Sequence, residues 1–129
     1  MESCHWRGYG GCMSQFSIEK KDNWKWTLMI MQPEFVTINL VHEASEQVKE
    51  KKDLPALKKI RLEAFSEGKA AQIMHIGPFS EEGPTIQKIH NYILEMNHKS
   101  SGKHHEIYLS DIGKAAPETW KTIIRQPMF

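Results

Sequence analysis

The chain has 129 residues, 40% of them hydrophobic, which suits one domain built around one core. Seventeen Lys and Arg against sixteen Asp and Glu leave a formal charge of +1, with no block of like charge that would mark an electrostatic nucleic-acid binder. No run of about 18 apolar residues marks a membrane span, residues 1–8 lack the apolar core of a signal peptide, and two cysteines make no disulfide framework, so a cytoplasmic location is expected.

In chain order, residues 1–23 read as irregular, rich in Gly and aromatic side chains. Residues 24–31 read as a strand, with Trp24, Trp26, Leu28 and Ile30 on one face and Thr27, Met29 and Met31 on the other. Pro33 ends it. Thr37 is a natural cap for a helix over 37–52, with Leu40, Val41, Ala44 and Val48 as its apolar stripe. Asp53-Leu54-Pro55 breaks that helix. The alternation of Ile60, Leu62 and Ala64, followed by Ser66-Glu67-Gly68, predicts a hairpin of strands at 59–65 and 69–76. Gly77-Pro78 stops the second of these. Ser80 or Thr85 would cap a helix over about 85–96, with Ile86, Ile89, Ile93 and Met96 at helical spacing. A strand at 103–111 and a last one at 120–125 complete the chain. The order predicts an α+β fold, an antiparallel sheet with helices packed on one face.

The 103–111 strand carries the most informative residue. Ile107 and Leu109 share one face; His104, Glu106, Tyr108 and Ser110 share the other. Strand centres rarely hold a carboxylate, because the charge loses water there. Glu106 with Tyr108 two residues on therefore suggests a binding surface, against the simpler alternative of a solvated sheet face. No metal is expected. Cys4, His5 and Cys12 lack zinc-like spacing, and His104 and His105 alternate faces, so they do not chelate together.

An internal echo points to duplication. Residues 26–33 and 120–127 match at Trp, Ile, Gln and Pro in register, the second beginning 94 residues after the first. The chain then divides into the tail of a first module at 1–33, a connecting helix at 34–58 and a complete second module at 59–129, together one domain over 1–129.

Four blocks in order, Trp24-Lys25-Trp26-Thr27-Leu28-Met29-Ile30-Met31-Gln32-Pro33, His75-Ile76-Gly77-Pro78-Phe79, Gly102 to Asp111, and Ile124-Arg125-Gln126-Pro127, strongly resemble the GyrI-like small-molecule-binding family. The resemblance covers residues 22–127. It implies tandem strand–helix modules of the SHS2 type, a pseudo-twofold sheet and a ligand cleft between the modules. By the same resemblance, Glu106 lies at the cleft base, binding cationic aromatic ligands in some relatives and activating water in others that hydrolyse cyclopropane-bearing natural products. Trp24 and Trp26 would form an aromatic wall. Where relatives often carry tyrosine, this chain has Phe79, one hydroxyl fewer.

The expected function is binding of amphipathic, aromatic small molecules, cationic ones among them, by Glu106, Tyr108, Trp24, Trp26, His75 and Phe79. The alternative is a hydrolase opening strained rings, with Glu106 as general base and Tyr108 stabilising the released oxygen anion. A third class, regulation by protein contact, has no helix-turn-helix segment to make it a DNA-binding regulator. The plainer roles are core packing for Trp24 and Trp26, and for His75 a bond to a backbone carbonyl at a strand end. No cofactor, no direct nucleic-acid contact and no membrane are expected. The concavity around Glu106 is expected on the sheet face opposite the helices. With half of a first module lacking a counterpart, a homodimer is expected to rebuild the two-module cleft.

Overall fold

The structure, a computed structural model, describes residues 3–8 and 25–129, with side chains from residue 27 onward. Its elements are β1 (Ser3–Gly8), β2 (Lys25–Ile30), α1 (Ile38–Lys51), β3 (Ala70–Ile76), α2 (Gly83–Glu95), β4 (His104–Tyr108) and β5 (Lys121–Pro127), with short 3-10 turns at Pro55–Lys59, Phe79–Glu81 and Pro117–Thr119. The five strands form one sheet in the order β2-β1-β4-β5-β3, antiparallel throughout. With α2 against it, the fold is α+β.

The chain forms two compact units, residues 32–66 and the remainder. In the smaller unit, α1 begins where expected: the Thr37 hydroxyl accepts from the Leu40 N–H at 3.4 Å, satisfying one of the first-turn donors. Lys49 and Lys51 in its last turn complement the helix dipole.

The larger unit holds the sheet, α2 and the core. Ile86, Ile89 and Ile93, one stripe of α2, are buried with Ala71 of β3 and Ile124 of β5. Pro84 occupies the first turn of α2, where a missing N–H costs nothing. Neither Ser80 nor Thr85 caps the helix; Ser80 lies in the preceding 3-10 turn and Glu82 holds the cap position. At the other end Asn97 takes a left-handed backbone, φ 56°, and the His98 N–H reaches the Ile93 carbonyl at 3.0 Å, closing the last turn.

Two expectations fail. Residues 3–8, read as irregular, form the strand β1 between β2 and β4. Residues 59–65, read as a strand, form none. Lys59 ends a 3-10 turn, Ile60 is 58% exposed, and the ladder of β3 runs to β5 instead. Alternation sets which face a residue would occupy but supplies no partner. Gly68 does take the turn-like φ of 71°, yet no hairpin follows from it.

Candidate functional site

The register decides which side chains share a face. Directly opposed residues in antiparallel strands point the same way. Glu106 is opposite Ile124, Tyr108 opposite Thr122, and His75 of β3 opposite Thr122 in turn. Ile124 belongs to the core under α2, so His104, Glu106 and Tyr108 lie on the face that carries α2. That overturns the expectation of the opposite face. The apolar set Ile107 and Leu109 occupies the more open side, half-buried and exposed respectively.

Glu106 is 1% exposed. Its Oε2 accepts from the Tyr108 hydroxyl at 2.5 Å, and His104 Nε2 stands 3.7 Å from its Oε1. A hydrogen bond from a phenol favours the ionised carboxylate, offsetting part of the desolvation that burial imposes. Beside this pair, Phe79 packs against Tyr108 with centroids 5.1 Å apart and against Trp120 at 4.8 Å, both tilted. Trp120 is anchored by its indole N–H to the Ala115 carbonyl at 2.9 Å.

Local sequence explains how Phe79 gets there. Gly77 takes φ 135°, a backbone that side-chain-bearing residues rarely adopt, while its N–H bonds the Trp120 carbonyl at 2.9 Å. The chain turns at that point, and Pro78 carries it into the 3-10 turn containing Phe79. His75 locks the corner: its Nε2–H donates to the Pro78 carbonyl at 3.2 Å, and its Nδ1 accepts from the Thr85 hydroxyl at 3.1 Å. Both ring nitrogens are thereby engaged by the protein, which is the plainer of the two roles weighed for His75.

The opposite face carries a separate polar network. His105 Nδ1 donates to Glu67 at 2.9 Å, Arg125 reaches the other Glu67 oxygen at 3.1 Å, and the Arg125 guanidinium also bonds Gln72. Burial lowers the pKa of His105 from its ordinary 6.5, and the Glu67 carboxylate only partly counters it.

Of the expected site residues, the structure brings together Glu106, Tyr108 and Phe79. Trp24 lies outside the described residues, and Trp26 is described by its backbone alone, on β2. Trp120, His104 and Thr122 were missed. The echo pairing Trp26 with Trp120 held a signal for the first, and the two-residue period of the strand held one for His104; nothing in the sequence distinguished Thr122. Among the described residues no cluster of three or more His, Cys, Asp or Glu is placed to hold a metal ion. No helix among them is long and apolar enough to cross a membrane.

The model of the GyrI-like small molecule binding domain matches residues 18–128, and the chain belongs to that family. Among solved structures it is similar to an uncharacterized conserved protein from Listeria innocua, with 38% identity and a TM-score of 0.84 over 99% of this chain and 62% of that one. Two hydrolases from Listeria innocua are also similar, at 36% identity and TM-score 0.81 and at 35% and 0.78, each over 99% of this chain and 62% and 61% of their own. The chain thus spans about three-fifths of the length of these neighbours. No curated protein matches it.

Proposed function

We propose that this domain binds flat, amphipathic, cationic small molecules, with Glu106 as the charge at the base of the site and Tyr108, Phe79 and Trp120 as its aromatic surroundings. The observation that carries this reading is the burial of the Glu106 carboxylate, 1% exposed, beside the Tyr108 hydroxyl that bonds it. A buried carboxylate, where ionised, attracts a cation far more strongly than an exposed one does, because water no longer screens it. Aromatic rings beside it add contact area and cation–π attraction. Trp24 and Trp26 remain candidates for the same wall through the family resemblance.

Hydrolysis of strained, cyclopropane-type rings with Glu106 as general base has narrower support. Two of the structural neighbours are hydrolases. The Tyr108 hydroxyl, however, is spent on Glu106 itself, an arrangement that stabilises the carboxylate more than it equips it to take a proton.

Calorimetry with 1-naphthylmethylammonium and neutral 1-naphthylmethanol tests the binding reading. Glu106→Gln is expected to weaken the cation by about tenfold or more, the worth of a charge-assisted bond, and the alcohol by much less. Equal losses for the two would mean that the carboxylate only shapes the site.

The same reading takes the protein as a homodimer. Its support is that β2 and β3, the outermost strands, carry exposed apolar side chains, Leu28 on one and Met74 and Ile76 on the other.

A further inference from the structure

The two ends of β3 fix the direction of every backbone group along it. At one end the Met128 N–H donates to the Lys69 carbonyl at 2.9 Å; at the other the Gly77 N–H donates to the Trp120 carbonyl at 2.9 Å. Both pairs continue the register that sets Ala70 opposite Pro127 and Ile76 opposite Lys121. In an antiparallel ladder such hydrogen-bonded pairs recur at every second residue. Ala71, Ile73 and His75 therefore bond toward β5, and the N–H and C=O groups of Ala70, Gln72, Met74 and Ile76 point away from the sheet. β3 is an outermost strand, and among the described residues no backbone group bonds those outward ones.

Open edges usually carry a charge, a proline or a bulge that keeps a second strand away. This one, Ala70-Ala71-Gln72-Ile73-Met74-His75-Ile76, has no lysine, arginine, carboxylate or proline, and Met74 and Ile76 stand 43% and 62% exposed along it. On the α2 side the same edge continues into a groove of about 380 Å³ between β3 and α2, lined in part by Ile73, Lys88 and the half-exposed Tyr92.

We propose that β3 is a docking edge for β3 of a second copy of this chain, the two strands pairing antiparallel about a twofold axis at Ile73 and joining two five-stranded sheets into one. The proposal rests on the homodimer reading above and assigns its interface. Ladder bonds form only where outward residues oppose outward residues, and the register centred on Ile73 uses every one of them. Ala70 then faces the partner subunit's Ile76, and Gln72 faces the partner subunit's Met74. Each opposed pair exchanges two bonds, about eight in all, near the roughly ten of a typical protein interface. Side-chain sizes agree with this register. Ala70 lies against isoleucine on one face and Ala71 against histidine on the other, a small residue opposite a large one each time. An axis perpendicular to the sheet sets both α2 helices on the same face, so the two grooves meet across the joint and are closed by it.

Light scattering after size exclusion, on the full chain at micromolar concentration, tests the proposal. Met74→Lys puts a charge on the joint, and Met74→Pro removes an outward N–H without touching the ladder to β5. Both are expected to be monomers with the wild-type circular dichroism spectrum. Leu28→Lys, on the other outermost strand, is expected to leave the dimer intact. A wild-type monomer overturns the proposal and the homodimer reading together. A dimer that persists in both Met74 variants, or that Leu28→Lys dissociates, overturns the β3 joint and leaves the homodimer reading standing. Amide exchange followed by NMR reads the joint directly. The amides of Ala70, Gln72, Met74 and Ile76 are expected to be protected in the wild-type dimer and to exchange about tenfold faster or more in Met74→Lys, while those of Ala71, Ile73 and His75 stay protected in both. Fast exchange of the outward amides in a wild-type dimer overturns the proposal, whichever variants fold.

Discussion

Glu106 and His105 are adjacent, almost equally buried, and opposite in consequence. Glu106 faces the α2 side with a phenol to hold it; His105 faces the other side with Glu67. Because burial outweighs Glu67 and lowers the pKa of His105, the folded state prefers the neutral ring, whereas the unfolded chain takes up a proton near the ordinary 6.5. His90 behaves in the same direction. Stability from these two groups is fully present above about pH 6.5 and falls as the pH drops from there toward the lowered folded-state values. Urea denaturation between pH 7.5 and pH 5 should show this decline, and replacing both histidines with glutamine should flatten it. A slope unchanged in the double variant would assign the acid sensitivity to carboxylates instead. The pairing of Glu106 with Tyr108 was legible because a two-residue period on a strand is unambiguous. The face was not. Apolar Ile107 and Leu109 looked like the core side, yet the core is set by Ile124 and Ala71 under α2, and the polar set is buried on that same face, where Tyr108 bonds Glu106.

At the level of elements, α2 carries the core, and Ile93, with no exposed surface, is its most enclosed residue. Ile93→Ala should cost about 2–5 kcal/mol, from lost transfer energy plus the cavity left behind. Ile60→Ala, at an exposed position, should stay within about 0.5 kcal/mol. Denaturant midpoints compared at constant slope measure both. Both helices were legible to within two or three residues, since stripe and breakers are local signals. The strand expected at 59–65 was not there, for a reason that periodicity does not contain. A strand exists only where a partner completes its ladder, and β3 finds that partner at 121–127, some fifty residues further on. The same non-locality hid β1, whose Gly- and aromatic-rich surroundings offer no alternation but whose backbone has β2 on one side and β4 on the other.

Across the whole molecule, the sheet order reads outward in the same way from its centre: β1 beside β4, then β2 on one side and β5 on the other, with β3 beyond β5. The sequence echo between residues 26–33 and 120–127 begins on β2 and runs along β5. Light scattering after size exclusion tests the proposed homodimer, with a mass of twice 15.0 kDa expected at micromolar concentration; a stable monomer would show that neither outer strand recruits a second copy. One further consequence follows from where the polar groups of the site originate. His104, Glu106 and Tyr108 are alternate residues of a single central strand, so their spacing is ruled by the pleat, about 6.6 Å per two residues, and by nothing else in the molecule. Phe79 and Trp120 come from the turn after β3 and the turn before β5, both on one side of that strand. For a ligand bound as proposed, the carboxylate and the phenol would act as a fixed ruler, two marks set by one strand rather than by the packing of separate elements.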